Sequence, residues 1–213
     1  RSWSKLAKHK ILSDSPKIVP YLPPTRILNK DSFIDFLTKY REIVIKPSSG
    51  SGGAGVMMVR KLAGGGYEIH SDTRRKKTKS LLSLYRFIHS TVDKKHLIQP
   101  KLSLASIKGR PFDLRVMVQK RKGMDWKVTG MMAKVAGSGY FITNLVRSKG
   151  KALPFHTAVQ SSNIQGITSA QLQEQIHQTA LLIVKRLQSY YGINTVGLDI
   201  GIGHKGKVWL IEA

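Results

Sequence analysis

Two acidic residues, Asp199 and Glu212, stand in two short apolar runs near the end of the sequence. The runs, Val196–Ile200 and Val208–Glu212, have the composition of β-strands. Adjacent antiparallel strands would bring the two carboxylates within reach of one hard cation, and Mg²⁺ prefers oxygen ligands of this kind. Neighbouring carboxylates without a cation repel each other. We therefore predict a Mg²⁺ site at Asp199 and Glu212, the alternative being two unrelated surface acids.

A second pair of charges lies inside an apolar run. Asp113 and Arg115 are two residues apart in the strand-like segment Pro111–Lys120, so the period of a strand places both side chains on one face. Charged residues in buried strands are usually paired or functional, whereas an exposed ion pair contributes little. Because the chain has only 12 acidic residues, we favour a functional carboxylate and guanidinium on one surface.

A glycine-rich segment, Gly50–Gly55, joins the strand-like runs Ile43–Lys46 and Val56–Arg60. A dinucleotide site would need a helix after the last glycine, and a P-loop would need Lys and Ser/Thr there. The sequence provides neither. Backbone amides of a glycine hairpin can instead close over phosphates while the ammonium group of Lys46 neutralises them. Protein kinases and ATP-grasp enzymes both use this arrangement, and a mobile hairpin without a ligand is the simple alternative.

The sequence beyond the glycine segment separates these two classes of enzyme. It contains no HRD-type or DFG-type element, which a protein kinase requires. Instead Gln99-Pro-Lys-Leu102 follows an apolar strand, where a hinge between two lobes would present backbone groups to adenine.

The order of these motifs resembles the ATP-grasp superfamily. The chain is similar in particular to the endospore-coat-associated YheC/YheD-type family, and ribosomal-protein glutamate ligases share the Asp-x-Arg motif and the late Asp…Glu pair. The resemblance covers nearly the whole chain and implies an α+β ATP-grasp fold, with two α+β lobes whose antiparallel sheets enclose Mg-ATP. It rests on the segments Tyr21–Thr25, Ile45–Pro47, Gly109–Arg115 with Gln119, Trp126–Gly130 and Ile142–Leu145.

The resemblance implies a role for each matching residue. Lys46 and Lys5 would contact phosphates, and Lys8 is the alternative to Lys5 for this role. Asp113 would accept hydrogen bonds from the ribose, and backbone atoms of Gln99 and Leu102 would bind adenine. The full set implied to bind ATP is Lys5, Lys46, Ser49, Gly50, Ser51, Gly52, Gly53, Gly55, Gln99, Pro100, Lys101, Leu102, Asp113 and Asn144.

The catalytic residues implied in the same way are Arg115 and Lys134, which would face the γ-phosphate. Asp199 and Glu212 would hold Mg²⁺, with an asparagine expected directly after Ala213. The chain departs from the family in having Lys134 where an arginine is usual and Arg147–Gly150 where paired glycines are usual.

The implied activity is that of a ligase, in which ATP phosphorylates a carboxylate and an amine then displaces phosphate. Both substrates stay unidentified. Two alternatives stay open: an ATP-grasp kinase of a small polyanion, and a nucleotide-binding structural module.

Three segments must position these residues: 1–28, a helix and a Pro-rich connection; 29–98, the smaller lobe; and 99–213, the larger lobe. We expect Asp31 to cap a short helix, a second helix over 79–92, and a third from Ser169 to Gly192. We expect a flexible basic turn at Arg74–Lys79 and a loop over 137–168.

The charge of the chain is strongly unbalanced, with 36 Lys and Arg residues and a net charge of +24. Such a field attracts anions, so an acidic polymer or acidic protein is a possible partner besides ATP. Specific nucleic-acid binding is unlikely, because no aromatic residues are interleaved in Arg74–Lys79. The absence of Cys, of a membrane-spanning run and of a signal peptide favours a cytoplasmic protein. The resemblance to the endospore-coat-associated family implies an association with spores. The ends of the sequence indicate a fragment of a longer chain.

Overall fold

The computed structural model describes residues 3–50, 52–92 and 95–213. The chain forms two compact units. The small unit is Pro24–Lys101, and the large unit combines Arg1–Pro23 with Leu102–Ala213. The boundaries thus fall after Pro23 and Lys101, whereas those predicted from the sequence lie after residues 28 and 98.

The elements are numbered in chain order. The helices are α1 (Lys5–Ser13), α2 (Lys30–Lys39), α3 (Leu81–Thr91), α4 (Leu145–Ser148), α5 (Phe155–Gln160) and α6 (Ser169–Gln188), and a 3₁₀ turn spans Val19–Tyr21. The strands are β1 (Arg26–Ile27), β2 (Glu42–Pro47), β3 (Met57–Lys61), β4 (Tyr67–Ser71), β5 (Arg74–Thr78), β6 (His96–Pro100), β7 (Ser106–Ile107), β8 (Arg110–Gln119), β9 (Lys127–Val135), β10 (Lys151–Pro154), β11 (Thr195–Ile202) and β12 (Val208–Glu212).

The small unit contains an antiparallel sheet in the order β1-β6-β2-β3-β4-β5. Alternate residues of its strands face the two helices, because side chains of a strand point to opposite faces in turn. Ile43 and Ile45 of β2 are fully buried in one apolar cluster with Phe33 of α2 and Leu84 of α3. The opposite face of β2 therefore carries Lys46.

Two expectations for the small unit are wrong. The residue that caps α2 is Asn29 rather than Asp31: its side chain accepts a hydrogen bond from the Ser32 N–H at 2.8 Å, and the Ser32 hydroxyl accepts one from the Asn29 N–H at 2.9 Å. The basic segment Arg74–Thr78 is strand β5, paired with β4, and not a flexible turn. Its side chains are mostly exposed, so it lacks the apolar alternation that marks a strand in a sequence.

The large unit contains a second antiparallel sheet in the order β10-β9-β8-β11-β12, with β7 paired to β8. One face packs against α6, which buries a stripe of apolar residues with helical spacing. The side chains that meet in this core are Phe112, Leu114, Val116, Val118, Leu172, Ile176, Ala180, Ile183, Val184, Leu187, Leu198 and Ile200. The alternate residues of the same strands form the other face of the sheet.

Two expectations for the large unit are also wrong. Thr168 rather than Ser169 caps α6, in a capping box with Gln171, and the helix ends at Gln188 instead of Gly192. The segment 137–168 is not one loop, because it contains α4, β10 and α5. Phe155 and Ala158 of α5 are buried in the core of the unit, and this packing orders a segment that its Gly, Ser and Asn content does not reveal.

None of the helices in the described part of the chain has both the length and the hydropathy needed to cross a membrane.

Candidate active site

The register of the large sheet collects four charged side chains on the face opposite α6. Asp113 of β8 is the cross-strand partner of Lys134 on β9, and Arg115 of β8 is the partner of Asp199 on β11. The Lys134 ammonium nitrogen lies 3.1 Å from Asp113 Oδ1 and 2.8 Å from Asp199 Oδ1. Arg115 Nε lies 3.0 Å from the same Asp199 oxygen. These four residues, Asp113, Arg115, Lys134 and Asp199, are called the charged cluster below.

Asp113 is the most enclosed member of the charged cluster, with 2% of its surface exposed. Its Oδ2 accepts a hydrogen bond from the Thr143 hydroxyl at 2.5 Å, and its Oδ1 faces Lys134. Burial raises the pKa of Asp113 to about 6, against the opposing charge of Lys134. Asp113 is therefore directed at Lys134 and Thr143, and its ribose contact stays a prediction.

Arg115 has the most exposed side chain of the charged cluster, at 42%. Its guanidinium group crosses Gly197 of β11, where an added Cβ would lie 2.7 Å from Nη1. A glycine at this position lets the arginine lie flat over the neighbouring strand, beside Asp199. Arg115 thus combines an anchored Nε with a guanidinium group that is open to solvent, as an anion-binding residue requires.

Glu212 of β12 lies directly across from Asp199, with a bulge in the ladder after Asp199. Lys5 of α1 approaches it, with Nζ 3.4 Å from Glu212 Oε1. The adjacent Lys8 donates a hydrogen bond to the carbonyl oxygen of Ala213. Burial lowers the pKa of Lys8, against the raising effect of Glu212. The first helix of the chain is thus connected to the end of β12 by two lysines.

The chemistry of this pair of carboxylates fits Mg²⁺. Asp199 and Glu212 offer oxygen atoms from adjacent strands, with side chains that are 17% and 34% exposed. Within the described residues there is no group of three or more His, Cys, Asp or Glu side chains placed to hold a metal. Two carboxylates are the protein contribution expected for Mg²⁺, which takes its other ligands from water and phosphates. The residues that would hold the ion are therefore Asp199 and Glu212.

In the small unit, the glycine hairpin follows strand β2, which carries Lys46. Lys46 lies near the end of β2 and is 8% exposed, and residues 48–50 and 52–56 lie between β2 and β3. Gly50, Gly52, Gly53 and Gly55 all have positive φ, a conformation that favours glycine. At Gly55 an added Cβ would also lie 3.0 Å from Pro47 Cγ. Ser49 is exposed in this hairpin, and Ser51 lies outside the described residues.

The segment predicted to bind adenine spans the point where the chain leaves the small unit for the large one. Its side chains have protein partners: Gln99 Nε2 donates to the Thr25 hydroxyl at 2.7 Å, and Lys101 Nζ lies 3.1 Å from Glu42 Oε2. The Leu102 carbonyl accepts a hydrogen bond from the Leu104 N–H at 3.0 Å. Pro100 ends β6. These contacts fix the segment and leave its adenine role a prediction.

Asn144 caps the short helix α4, where its Oδ1 accepts from the Arg147 N–H at 2.8 Å. The residue before it, Thr143, was given no role from the sequence, although it lies in one of the segments that carry the resemblance. Its contact with Asp113 depends on the fold, because the loop must return over β8 to bring the hydroxyl to that carboxylate. Gly137 permits that return, since an added Cβ would lie 1.8 Å from the Ser148 carbonyl oxygen.

Comparison with known proteins identifies the family. Residues 1–213 match the family described as YheC/D-like ATP-grasp. The endospore coat-associated protein YheD of Bacillus subtilis (strain 168) is 27% identical over an alignment of 221 positions, which covers 99% of this chain and 47% of YheD. YheC of the same organism is 24% identical over 200 residues, covering 92% of this chain and 54% of YheC. The chain thus spans about half the length of these relatives.

Solved structures share the fold of this chain. The D-alanine–D-alanine ligase of Bacillus anthracis superimposes with a TM-score of 0.56, at 16% identity, over 98% of this chain and 55% of that one. At this identity the likeness establishes the fold, an α+β ATP-grasp fold with antiparallel sheets, and nothing more specific. With its whole length matched and its fold shared, the chain belongs to the YheC/D-like ATP-grasp family.

Proposed function

We propose that this chain is the nucleotide-binding and catalytic part of a Mg-ATP-dependent ligase that joins a carboxylate to an amine through an acyl-phosphate. The observation that carries the proposal is the charged cluster with Glu212 beside it. Two cations and two carboxylates share one sheet face, and Arg115 is partly open to solvent. A sheet face of this chemistry suits the transfer of a phosphoryl group, whose charge must be neutralised as it moves.

The proposed reaction has two steps. A carboxylate oxygen attacks the γ-phosphorus of ATP, the bond from that phosphorus to the oxygen shared with the β-phosphate breaks, and ADP leaves. The amine nitrogen then attacks the acyl carbon, the bond from that carbon to the phosphate oxygen breaks, and inorganic phosphate leaves while the nitrogen loses a proton to solvent. Both steps depend on positioning and on charge neutralisation, and neither needs a protein nucleophile.

The residues divide these tasks by their chemistry. Lys46 and the amides of the glycine hairpin would bind the phosphates of ATP, and Gln99–Leu102 would bind adenine. Arg115 and Lys134 would stabilise charge on the transferred phosphoryl group. Mg²⁺, held by Asp199 and Glu212, would neutralise phosphate oxygens when bound. Lys5 would hold Glu212 in place and would contact a phosphate from there, and Asn144 would order the loop that carries Thr143.

We propose a positioning role for Asp113 besides the ribose contact that the resemblance implies. Its buried carboxylate faces the Lys134 ammonium at 3.1 Å and accepts a hydrogen bond from Thr143. We assign it the positioning of Lys134. A lysine is a flexible point charge, so a fixed carboxylate on each side would hold its nitrogen in one place.

The names of the relatives agree with this proposal. A D-alanine–D-alanine ligase joins the carboxylate of one amino acid to the amine of another, and YheD and YheC are described as endospore coat-associated. A spore-associated ligase is therefore part of the proposal.

The test of the proposed reaction is a screen of ADP release with Mg-ATP against panels of amino acids, short peptides and cell-wall precursors. We expect release that requires both a carboxylate and an amine, together with a product whose mass corresponds to a new amide. A phosphorylated polyanion without an amide would contradict the ligase and favour a kinase. A complete lack of turnover with retained ATP binding would favour a structural module.

Lys46→Ala should weaken ATP binding by about 2 kcal/mol, or roughly 30-fold, since it removes a charged phosphate contact. Isothermal calorimetry at one fixed salt concentration measures the effect. Lys61→Ala is the matched control, because it removes the same charge from the end of the neighbouring strand β3. Equal ATP affinities for the two variants would contradict the role of Lys46.

Asp199→Asn and Glu212→Gln should each reduce the gain in ATP affinity that Mg²⁺ produces, because amides lack the charge that a hard cation requires. ATP affinity is measured with Mg²⁺ and with EDTA for each variant. Asp35→Asn, which alters an exposed carboxylate paired with Arg26 in the small unit, should leave the gain unchanged. If both site variants keep the full Mg²⁺ effect, the metal assignment is wrong.

The pKa of Asp113 should appear in the stability of the chain without nucleotide or metal. Its pKa is about 6 when folded and has an ordinary value of 3.8. The folded chain thus binds this proton more tightly than the unfolded chain. The stabilising contribution is full below pH 3.8 and is lost as the pH rises past about 6.

The free energy of unfolding of the natural chain minus that of Asp113→Asn should therefore fall by roughly 2–3 kcal/mol between about pH 4 and pH 7. Urea unfolding at several pH values in EDTA measures this difference. The same difference for Asp35→Asn should lack this fall. A flat profile for Asp113→Asn would show that the carboxyl group is not perturbed.

A further inference from the structure

Strand β5 lies at the edge of the small sheet. In the described part of the chain β4 is its single strand neighbour, with the register His70 opposite Arg75 and Glu68 opposite Lys77. Along its other side an edge strand directs the N–H and C=O groups of alternate residues away from the sheet. The outer side of β5 is therefore a row of backbone groups spaced to pair with another extended chain.

The side chains of β5 form a basic stripe that covers both faces of this edge. Arg74, Arg75, Lys76 and Lys77 are consecutive and exposed, and consecutive residues of a strand point to opposite faces. Arg75 and Lys77 thus share one face, while Arg74 and Lys76 share the other. We call Arg74–Lys77 the basic edge.

Among the described residues, Glu68 provides a carboxylate for the basic edge, with its Oε1 3.7 Å from Arg75 Nη1. The same oxygen is closer to Arg60, at 2.7 Å, and Glu68 is almost fully buried. On the other face, Lys76 Nζ lies 4.3 Å from the ring centroid of Phe87 on α3. Arg75 thus shares its carboxylate with Arg60, and the net charge of +24 means that most of the positive charge of the chain is balanced from outside.

The positive charge and the outward backbone groups of β5 together indicate which kind of molecule fits this edge. A second copy of this chain is disfavoured, because two basic edges would place like charges opposite each other. Nucleic acid would be held by charge, but β5 has no aromatic side chain on which a base could stack. An extended peptide matches the backbone row, and acidic side chains on such a peptide would meet the basic edge on both faces.

We propose that β5 is a docking strand for an acidic peptide segment, which binds by adding a strand to the edge of the small sheet. Main-chain hydrogen bonds to β5 would provide affinity and register. The carboxylates of the peptide would pair with Arg74–Lys77 and make binding strongly dependent on salt. The docking strand involves none of the residues assigned to ligation, so the proposal stands whether or not the chain is a ligase.

The test uses a fluorescent peptide of about ten residues that alternates Glu and Thr. Its binding to the whole chain is measured by anisotropy at about 50 mM and 200 mM salt. Replacing all four residues of the basic edge by Thr, a good strand former, should weaken binding at least about tenfold. The control variant, Lys120, Arg121, Lys122 and Lys127→Thr, removes the same charge elsewhere and should change binding about twofold or less. Equal loss in both variants would overturn the proposal.

A second measurement separates strand addition from simple charge attraction without altering the protein. A peptide of the same sequence with alternate backbone nitrogens methylated keeps its charge but cannot pair along one edge. We expect it to bind the natural chain about tenfold more weakly. Equal binding of the two peptides would overturn docking on the edge. So would an oligothymidylate of equal charge that displaces the peptide more effectively than unlabelled peptide does.

Discussion

The ammonium group of Lys134 is the charge on which the arrangement of the large unit depends. It lies between Asp113 and Asp199, at 3.1 and 2.8 Å, and the lysine is 8% exposed. Two carboxylates in so little water would repel each other and resist ionisation. A shared cation removes most of that cost, and Arg115 adds a second one beside Asp199. The two cations that neutralise these acids are also of the kind that an anionic ligand requires, which supports the proposed phosphate contact.

The register of the strands keeps the charged side chains of the cluster next to one another. Asp113 and Arg115 alternate along β8 with Phe112, Leu114 and Val116, which are fully buried in the core. A slip of one residue would move the charges into the core and the apolar residues to the surface. The burial that fixes the fold therefore also fixes the distances in the cluster. There is no room for a side chain at position 197, because a Cβ there would lie 2.7 Å from Arg115 Nη1.

The features that could be predicted from the sequence are those that follow from the alternation of residues along a strand. Asp199 and Glu212 were expected on adjacent antiparallel strands, and they are cross-strand partners; their metal stays a prediction. The period of β8 likewise predicted one face for Asp113 and Arg115. Strand β5 was missed because its exposed basic residues carry no apolar period. Thr143 was missed because its hydrogen bond to Asp113 crosses 30 positions of sequence, and no local pattern records such a contact.

The candidate active site does not account for the excess of positive charge on the chain. Among the described residues, ion pairs with Lys or Arg already hold Asp14, Asp35, Glu42, Glu68, Asp113, Asp199 and Glu212. The 12 acids of the chain cannot balance its 36 bases, and a bound nucleotide brings only a few negative charges. Most of the +24 must therefore be balanced by ions or partners outside the chain. Charge alone attracts every anion, so selectivity must arise where the backbone adds directional contacts. The two places proposed for this are the glycine hairpin, for phosphates, and the edge of β5, for an extended chain.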